Sequence, residues 1–328
     1  MSLATSFEQR ASSQTWLVWL ALWTVYIVWG STYLAIRVTV ETLPPLLTAG
    51  LRFILAGVLM YAWLAIRRGR ASLRITAREA ASSALIGGGL LLGGNGMVVL
   101  AERDVSSSLA ALVIASVPLW VVLLRTVTGD RASKGTLGGV ALGFFGVALL
   151  VLPEGSGDGR LFGVLLLVLA AALWATSSFM SRRVSLPSDP FTSTAFQMLF
   201  GGLWCIAGGL AMGEAGNIDV EGFSFASIAA FVYLVVAGSL LAFTAYVWLL
   251  QNAPISKVAT YAYVNPVIAL VLGWLILSEE ISGTMLAGAA IIVASVAFIV
   301  SRESGSSAAA KRREPAPERI AELAPESP

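Results

Sequence analysis

The sequence predicts an all-α polytopic membrane protein: ten transmembrane helices arranged as two inverted five-helix repeats. Three observations carry that prediction. Of 328 residues, 57% are hydrophobic and only 12% charged, about half the roughly 25% that a soluble domain uses to cover its surface. Apolar runs long enough to cross about 30 Å of hydrocarbon recur ten times along the chain. Tryptophan, proline, serine and glycine landmarks then repeat in register between the two halves. The mean hydropathy of +0.82 agrees with an apolar solvent. A disordered chain, a disulfide-stapled secreted module and a nucleic-acid binder are excluded by the same composition, since a net charge of +2 gives no basic footprint.

The first run, near Trp16–Ile36, carries Trp16, Trp19, Trp23 and Trp29. It is too long for a cleavable signal, and no small-residue cleavage site follows, so it is a span. The second, near Leu43–Ile66, is led by proline and closed by Arg67 and Arg68. The third, near Ala80–Ala101, holds Gly87-Gly88-Gly89 and Gly93-Gly94, which fit neither dinucleotide-loop nor P-loop spacing and permit close approach or bending. The fourth lies near Ser107–Leu124 and the fifth near Gly135–Leu152; these are the shortest. Gly135, Gly139 and Gly143 form a ridge of small residues on the fifth, suited to close helix packing within the chain or in a homodimer. The second half supplies runs near Leu161–Ser181, Pro190–Met212, Phe225–Leu250, Val258–Leu277 and Gly283–Val300.

Charge orients the set. With the N-terminus in the cytoplasm, seventeen of the twenty-one basic residues fall on the cytoplasmic side, as the positive-inside rule requires. Arg37, Arg103 and Arg160 fall outside, and Arg52 sits within a span. Both termini are therefore expected in the cytoplasm. The organisation is a cytoplasmic N-terminus (1–15), a first repeat (16–152), a connecting loop (153–160), a second repeat (161–301) and a disordered cytoplasmic tail (302–328). The tail is rich in Ser, Ala, Glu and Pro and has no apolar face.

At an offset of 145, Trp29 meets Trp174, Ser31 meets Thr176, Thr32 meets Ser177, Arg37 meets Arg182, Pro45 meets Pro190 and Arg52 meets Gln197. At 148, Val99 meets Val247, Ser108 meets Ser256, Pro118 meets Pro266 and Gly135 meets Gly283. Five spans is an odd number, so the second copy enters the membrane from the opposite face. Inverted copies of this kind are the architecture of many secondary transporters, with a site near the midplane where the copies meet.

The run Trp29-Gly30-Ser31-Thr32-Tyr33 resembles the opening signature of the drug/metabolite transporter superfamily, EamA family. So do the Pro-led second span carrying Arg52, the mid-span Pro118 and Pro266, and Leu277-Ser278-Glu279-Glu280 before Gly283. The resemblance covers residues 16–301 and is nearest to the bacterial aromatic amino-acid exporter type. It implies ten helices, inverted repeats, the bacterial plasma (inner) membrane and export of amino acids or related metabolites. One departure is that the first repeat has Asp130-Arg131 where the second has Glu279-Glu280.

Candidate site residues follow from polarity inside apolar runs, where unpaired polar groups are expensive and face protein or water rather than lipid. Arg52 reads as a handle for a substrate carboxylate, or as a donor to helix-end carbonyls. Trp29, Thr32 and Tyr33, with Trp174, Ser177 and Ser178, place rings and hydroxyls at matching heights, lining a cavity or packing between helices. Asn95 and Gln197 are lone amides; Trp120, Tyr261, Tyr263 and Asn265 lie close to the prolines. Pro118 and Pro266 each remove a helical hydrogen bond and mark hinges or kinks. Glu102, Asp104, Glu279 and Glu280 lie at span ends, as solvated or capping groups.

No catalytic residue, metal ligand or cofactor is expected. There is no histidine, and the single cysteine, Cys205, sits in an apolar run as a small buried hydrophobe. HExxH and GxSxG are missing, which disfavours a membrane-embedded enzyme. No carboxylate lies at mid-depth, so facilitated diffusion or exchange is the expected mode. One arginine is too little charge for a phosphate, and few deep carboxylates disfavour a polycation. The expected partners are the lipid bilayer and small net-neutral solutes, above all neutral and aromatic amino acids; drug or dye efflux and a channel are the alternatives.

Overall fold

The computed structural model describes residues 3–129, 132–151, 158–253, 258 and 260–313. The helices in chain order are α1 (Leu3–Thr39), α2 (Pro45–Arg68), α3 (Ala77–Gly87), α4 (Met97–Ala101), α5 (Ser107–Ile114), α6 (Val117–Val127) and α7 (Lys134–Val151). They continue with α8 (Asp158–Ser181), α9 (Pro190–Ala211), α10 (Phe225–Tyr233), α11 (Ala242–Asn252), α12 (Tyr261–Leu277) and α13 (Gly283–Arg313). Among the described residues eight helical stretches are long and apolar enough to cross a membrane, and Lys134–Leu150 and Tyr261–Leu277 are shorter apolar helices. The two short stretches are thus the fifth and ninth runs rather than the fourth and fifth. The fourth reaches Val127 because Arg125, Thr126 and Val127 extend it.

Local chemistry explains the boundaries. Pro45 starts α2, where a missing N–H is harmless, and Gly69 at φ +80° closes it. Thr76 and Glu79 form a reciprocal capping box at α3. Ser106, Asp189 and Ser224 cap α5, α9 and α10 through their side-chain oxygens. Pro118 lies in the first turn of α6, just after the interruption at Ala115 and Ser116. Pro266 instead lies inside the unbroken α12. The two aligned prolines therefore do different things: one begins a helix, the other is carried within one.

A feature shared by both halves is a π-helical stretch inside the third run of each. Gly88–Gly96 joins α3 to α4, and Leu234–Leu241 joins α10 to α11. Such widened turns leave backbone groups off the ordinary ladder and occur often at functional sites.

Many helix pairings recur when the halves are exchanged, although α3 packs along α9 with no comparable α2–α10 packing among the described residues. Helix α2 lies along α9 and α7 along α13. Helix α1 packs against α10, α11, the stretch between them, and α12; α8 packs against α3, α4, the stretch between them, α5 and α6. The long pairs run antiparallel. Glu214, beyond the C-terminal end of α9, accepts from the N–H groups of Leu46 (3.0 Å) and Leu47 (2.9 Å) at the start of α2. At the other end Arg68 pairs with Asp189 at 2.9 Å. In the α7–α13 seam, a β-carbon on Gly139 would meet Ile299 and Phe298, one on Gly146 would meet Ile291, and one on Gly288 would meet Leu150. The glycine ridge of α7 is therefore occupied within the chain.

The main apolar core gathers residues from both halves, including Phe53, Leu112, Leu119, Leu167, Cys205 and Ile292. Many large side chains, such as Trp23, Trp63, Phe162, Trp204 and Trp274, lie exposed on the helix bundle, as a lipid-facing surface requires. One expectation needs correcting: α13 continues to Arg313, so the stretch 302–313 is helical rather than disordered. Ala308–Ala310 followed by Lys and Arg are strong helix formers. Similarly α8 begins at Asp158, inside the expected loop 153–160, and α1 begins at Leu3. Asp130, Arg131, Ser256, Lys257, residues 153–157 and the tail beyond Arg313 lie outside the described residues.

Candidate functional site

The site begins with Arg52 on α2, which is only 6% exposed. Its Nε donates to Ser239 Oγ at 2.9 Å, and its guanidinium carbon lies 4.9 Å from the centre of the Phe53 ring. Nη1 is buried with no hydrogen-bond partner. A buried cation with an unused donor is costly unless something else uses that donor. Ser239 belongs to the π-helical Leu234–Leu241 stretch, whose widened backbone brings Gly238 and Ser239 to face α1 and α2 together.

On α1, the Trp29 indole N–H donates to the carbonyl of Gly238 at 3.2 Å. Thr32 lies against the same glycine: a β-carbon at Gly238 would sit 3.1 Å from Thr32 Cγ2 and 3.2 Å from Arg52 Nη2. The Thr32 hydroxyl itself donates to the Trp29 carbonyl at 2.6 Å. Trp29 also packs against Tyr246 and Tyr261, with ring centres 5.0 and 5.4 Å away. Above this group Ser31 and Tyr233 share a 2.6 Å hydrogen bond. Trp29, Thr32 and Arg52 thus meet at Gly238 and Ser239, and Tyr261 joins them through the Trp29 ring.

The equivalent residues of the second half form another. A β-carbon at Gly94 would meet the Trp174 ring at 2.6 Å, and one at Gly89 would meet Ser177 Oγ at 2.0 Å. Trp174 and Ser177 therefore press directly on the glycine-rich Gly88–Gly96 stretch. Asn95, in that stretch, has a buried Oδ1 without a partner. Gln197, the counterpart of Arg52, donates to Ser193 Oγ at 2.8 Å within its own helix.

The remaining candidates scatter. Trp120 stands edge-on to Phe144 at 4.9 Å, and its buried indole N–H has no partner. Asn265 is buried with a free Oδ1, and its carbonyl faces Gly30. Tyr33 and Tyr263 pack against the main core, and the Ser178 carbonyl accepts from Ser181. Ser239, Gly238 and Tyr246 were missed. A small Gly-Ser pair inside LVVAGSLL was their visible trace, but no periodicity announces a π-helical turn. Next to Arg52, between Thr39, Pro45, Thr48, Val99 and Phe231, the structure leaves a cleft with room for about one water. The side chains are closed around the site in this conformation. Glu279 acts as a cap, accepting from both N–H groups and both hydroxyls of Ser107 and Ser108.

The EamA-like transporter family model matches residues 15–152 and 161–301, one copy on each half. The chain is 35% identical over 280 residues to the uncharacterized inner membrane transporter YedA of Escherichia coli, covering 85% of this chain and 89% of that one. It is 27% identical over 286 residues to the "probable amino-acid metabolite efflux pump" of E. coli, covering 82% and 90%. A solved crystal structure at 21% identity matches 89% of this chain and 98% of its own with a TM-score of 0.60, which shows a common fold.

Proposed function

We propose, from the premise that the chain belongs to the EamA-like transporter family and is a multi-pass membrane transporter, that it exports small net-neutral metabolites. Neutral and aromatic amino acids are the foremost class. The observation that carries this reading is the buried Arg52 with its spare N–H, which meets at Gly238 the Trp29 indole whose ring packs on Tyr246 and Tyr261. A guanidinium donor suits a carboxylate, and the rings suit an apolar side chain. A zwitterion is neutral overall, so its binding leaves the site with the single positive charge of Arg52, paired with the substrate carboxylate.

The mechanism is alternating access by ten spans in two inverted repeats, running by facilitated diffusion or exchange across a bacterial inner membrane with both termini cytoplasmic. Two features support it. Helices α2 and α9 are equivalent in the aligned sequence yet run antiparallel, and most helix pairings recur when the halves are exchanged. Halves related in this way can trade conformations, giving two end states of similar energy. The relative's "amino-acid metabolite efflux" description supports the substrate class. The three-ring cluster also favours a second reading, efflux of flat aromatic drugs or dyes.

The test is counterflow. Liposomes containing purified protein and loaded with unlabelled Phe, Met or Thr should take up the labelled amino acid faster than empty liposomes, saturably, and ethidium uptake should be slower. No acceleration for any neutral amino acid removes the substrate class.

A further inference from the structure

At the end of the bundle where α1 and α4 finish, one side chain is used by nothing described so far. Glu102 caps α4, is completely buried, and neither of its carboxylate oxygens has a hydrogen-bond partner. It lies one residue past the candidate span Ala77–Ala101.

The groups facing it are few. From α1 come Tyr33 and Arg37. Arg37 does not serve the carboxylate: its Nη1 donates to the main-chain carbonyls of Glu102 and, at 3.0 Å, Arg103. From the turn after α12 comes Glu279, whose oxygens are committed to Ser107 and Ser108 of α5. From α8, Gly163 packs on the Ala101 carbonyl and Val105, either side of Glu102 in the chain. In its own turn, Arg103 and Asp104 are exposed to solvent. An ionised Glu102 would therefore be a buried anion with a second carboxylate nearby and no donor of its own. Burial, then Glu279, pushes its acid well above the ordinary carboxylate range, with Arg37 opposing.

We propose that Glu102 is a proton-binding latch: protonated, it sits in the dry seam between α1, α4, α5 and the turn after α12 and keeps that end of the carrier shut, and loss of the proton drives it out and opens that end. This rests on the alternating-access reading and adds a ligand, the proton, to it. The sign follows from linkage. The closed state binds the proton more tightly than an open state in which Glu102 meets water. Acid therefore favours closure. Each pH unit above the ordinary glutamate value of about 4.3 raises the open-to-closed ratio about tenfold, until the closed state itself ionises.

The experiment is cysteine accessibility in the full chain, reconstituted, in a Cys205→Ser background. Val105 is buried beside the latch, so Val105→Cys reports opening, and exposed Glu221→Cys corrects for the pH dependence of the thiol reaction. The corrected maleimide rate at position 105 should rise several-fold or more between pH 5 and pH 8. With Glu102→Gln, a neutral mimic of the protonated acid, it should stay low throughout. Glu102→Asp, which still titrates, should keep a rise and guards against misfolding of the Gln variant. A flat profile with Glu102 present, or an unchanged rise with Glu102→Gln, overturns the latch. Labelling requires no substrate, so such a result leaves the carrier reading to counterflow.

Discussion

The Arg52 face and the Gln197 face occupy equivalent places in the two halves, and they are built differently. Each pairs a tryptophan-bearing helix, a Pro-led helix and a π-helical stretch. On the first face the stretch presents Gly238 and Ser239 to a buried cation with an unused donor. On the second, Gln197 turns to Ser193 of its own helix, and Trp174 and Ser177 fill the space against glycines. The scaffold is thus duplicated while the chemistry is not. On the proposed reading, near-equal halves let the carrier exchange conformations, while a substrate with one carboxylate needs only one arginine.

The comparison is sharpest where the second face is tightest. A β-carbon at Gly87 would lie 2.4 Å from the main-chain oxygen of Gln197, which cannot swing aside. Gly87→Ala should destabilise the protein by about 1–3 kcal/mol, read as a lower melting temperature in detergent. Gly138→Ala, which opens onto free space, should leave it unchanged. Equal effects would show that the glycine-lined face is not close-packed.

Arg52→Gln makes the two faces alike. Amino-acid counterflow should fall at least tenfold while the folded yield holds, and Gln197→Arg in the same protein should not restore it, because the arginine would face glycines and Trp174 rather than Ser239. Gln197→Ala by itself removes one side-chain hydrogen bond and should cost about 1 kcal/mol of stability, with counterflow largely retained.

The helix-end contacts should give smaller effects. Glu214→Gln weakens an anion at the N-terminus of α2 and should cost about 0.3–1 kcal/mol, visible as a small drop in melting temperature. At the opposite end Asp189 is held below the usual range: partial burial pushes the other way, but Arg68 and Thr192 outweigh it. Its contribution is present above the ordinary aspartate value near 3.9 and fades as pH falls through the lowered one. The pair is 43% and 33% exposed, so Asp189→Asn should change melting by little at neutral pH and by less below pH 4.

Much of the scaffold could be read from the residues themselves. Trp29 and Trp174, and Pro45 and Pro190, announce a repeat because rings and fixed φ angles recur at fixed spacing. Arg52 stands out as a basic residue deep in an apolar run. Of the two π-helical stretches, Gly88–Gly96 shows as a glycine cluster, whereas Leu234–Leu241 does not stand out, since it has the same apolar content as an ordinary span. Nor does the burial of Glu102, which depends on α1, α5 and a turn 177 residues away closing over it. The helical stretch 302–313 was hidden by serine and glutamate that read as a solvated tail.

On the proposed mechanism the two halves exchange conformations around the Arg52 constellation. Spin labels at Asp104 and Glu221, and in a second sample at Arg70 and Arg183, place one pair at each end with one label per half. Distances measured by electron paramagnetic resonance should show two populations at each end, with substrate lengthening one pair as it shortens the other. A single unchanging distance at both ends, with and without a transported amino acid, would contradict it.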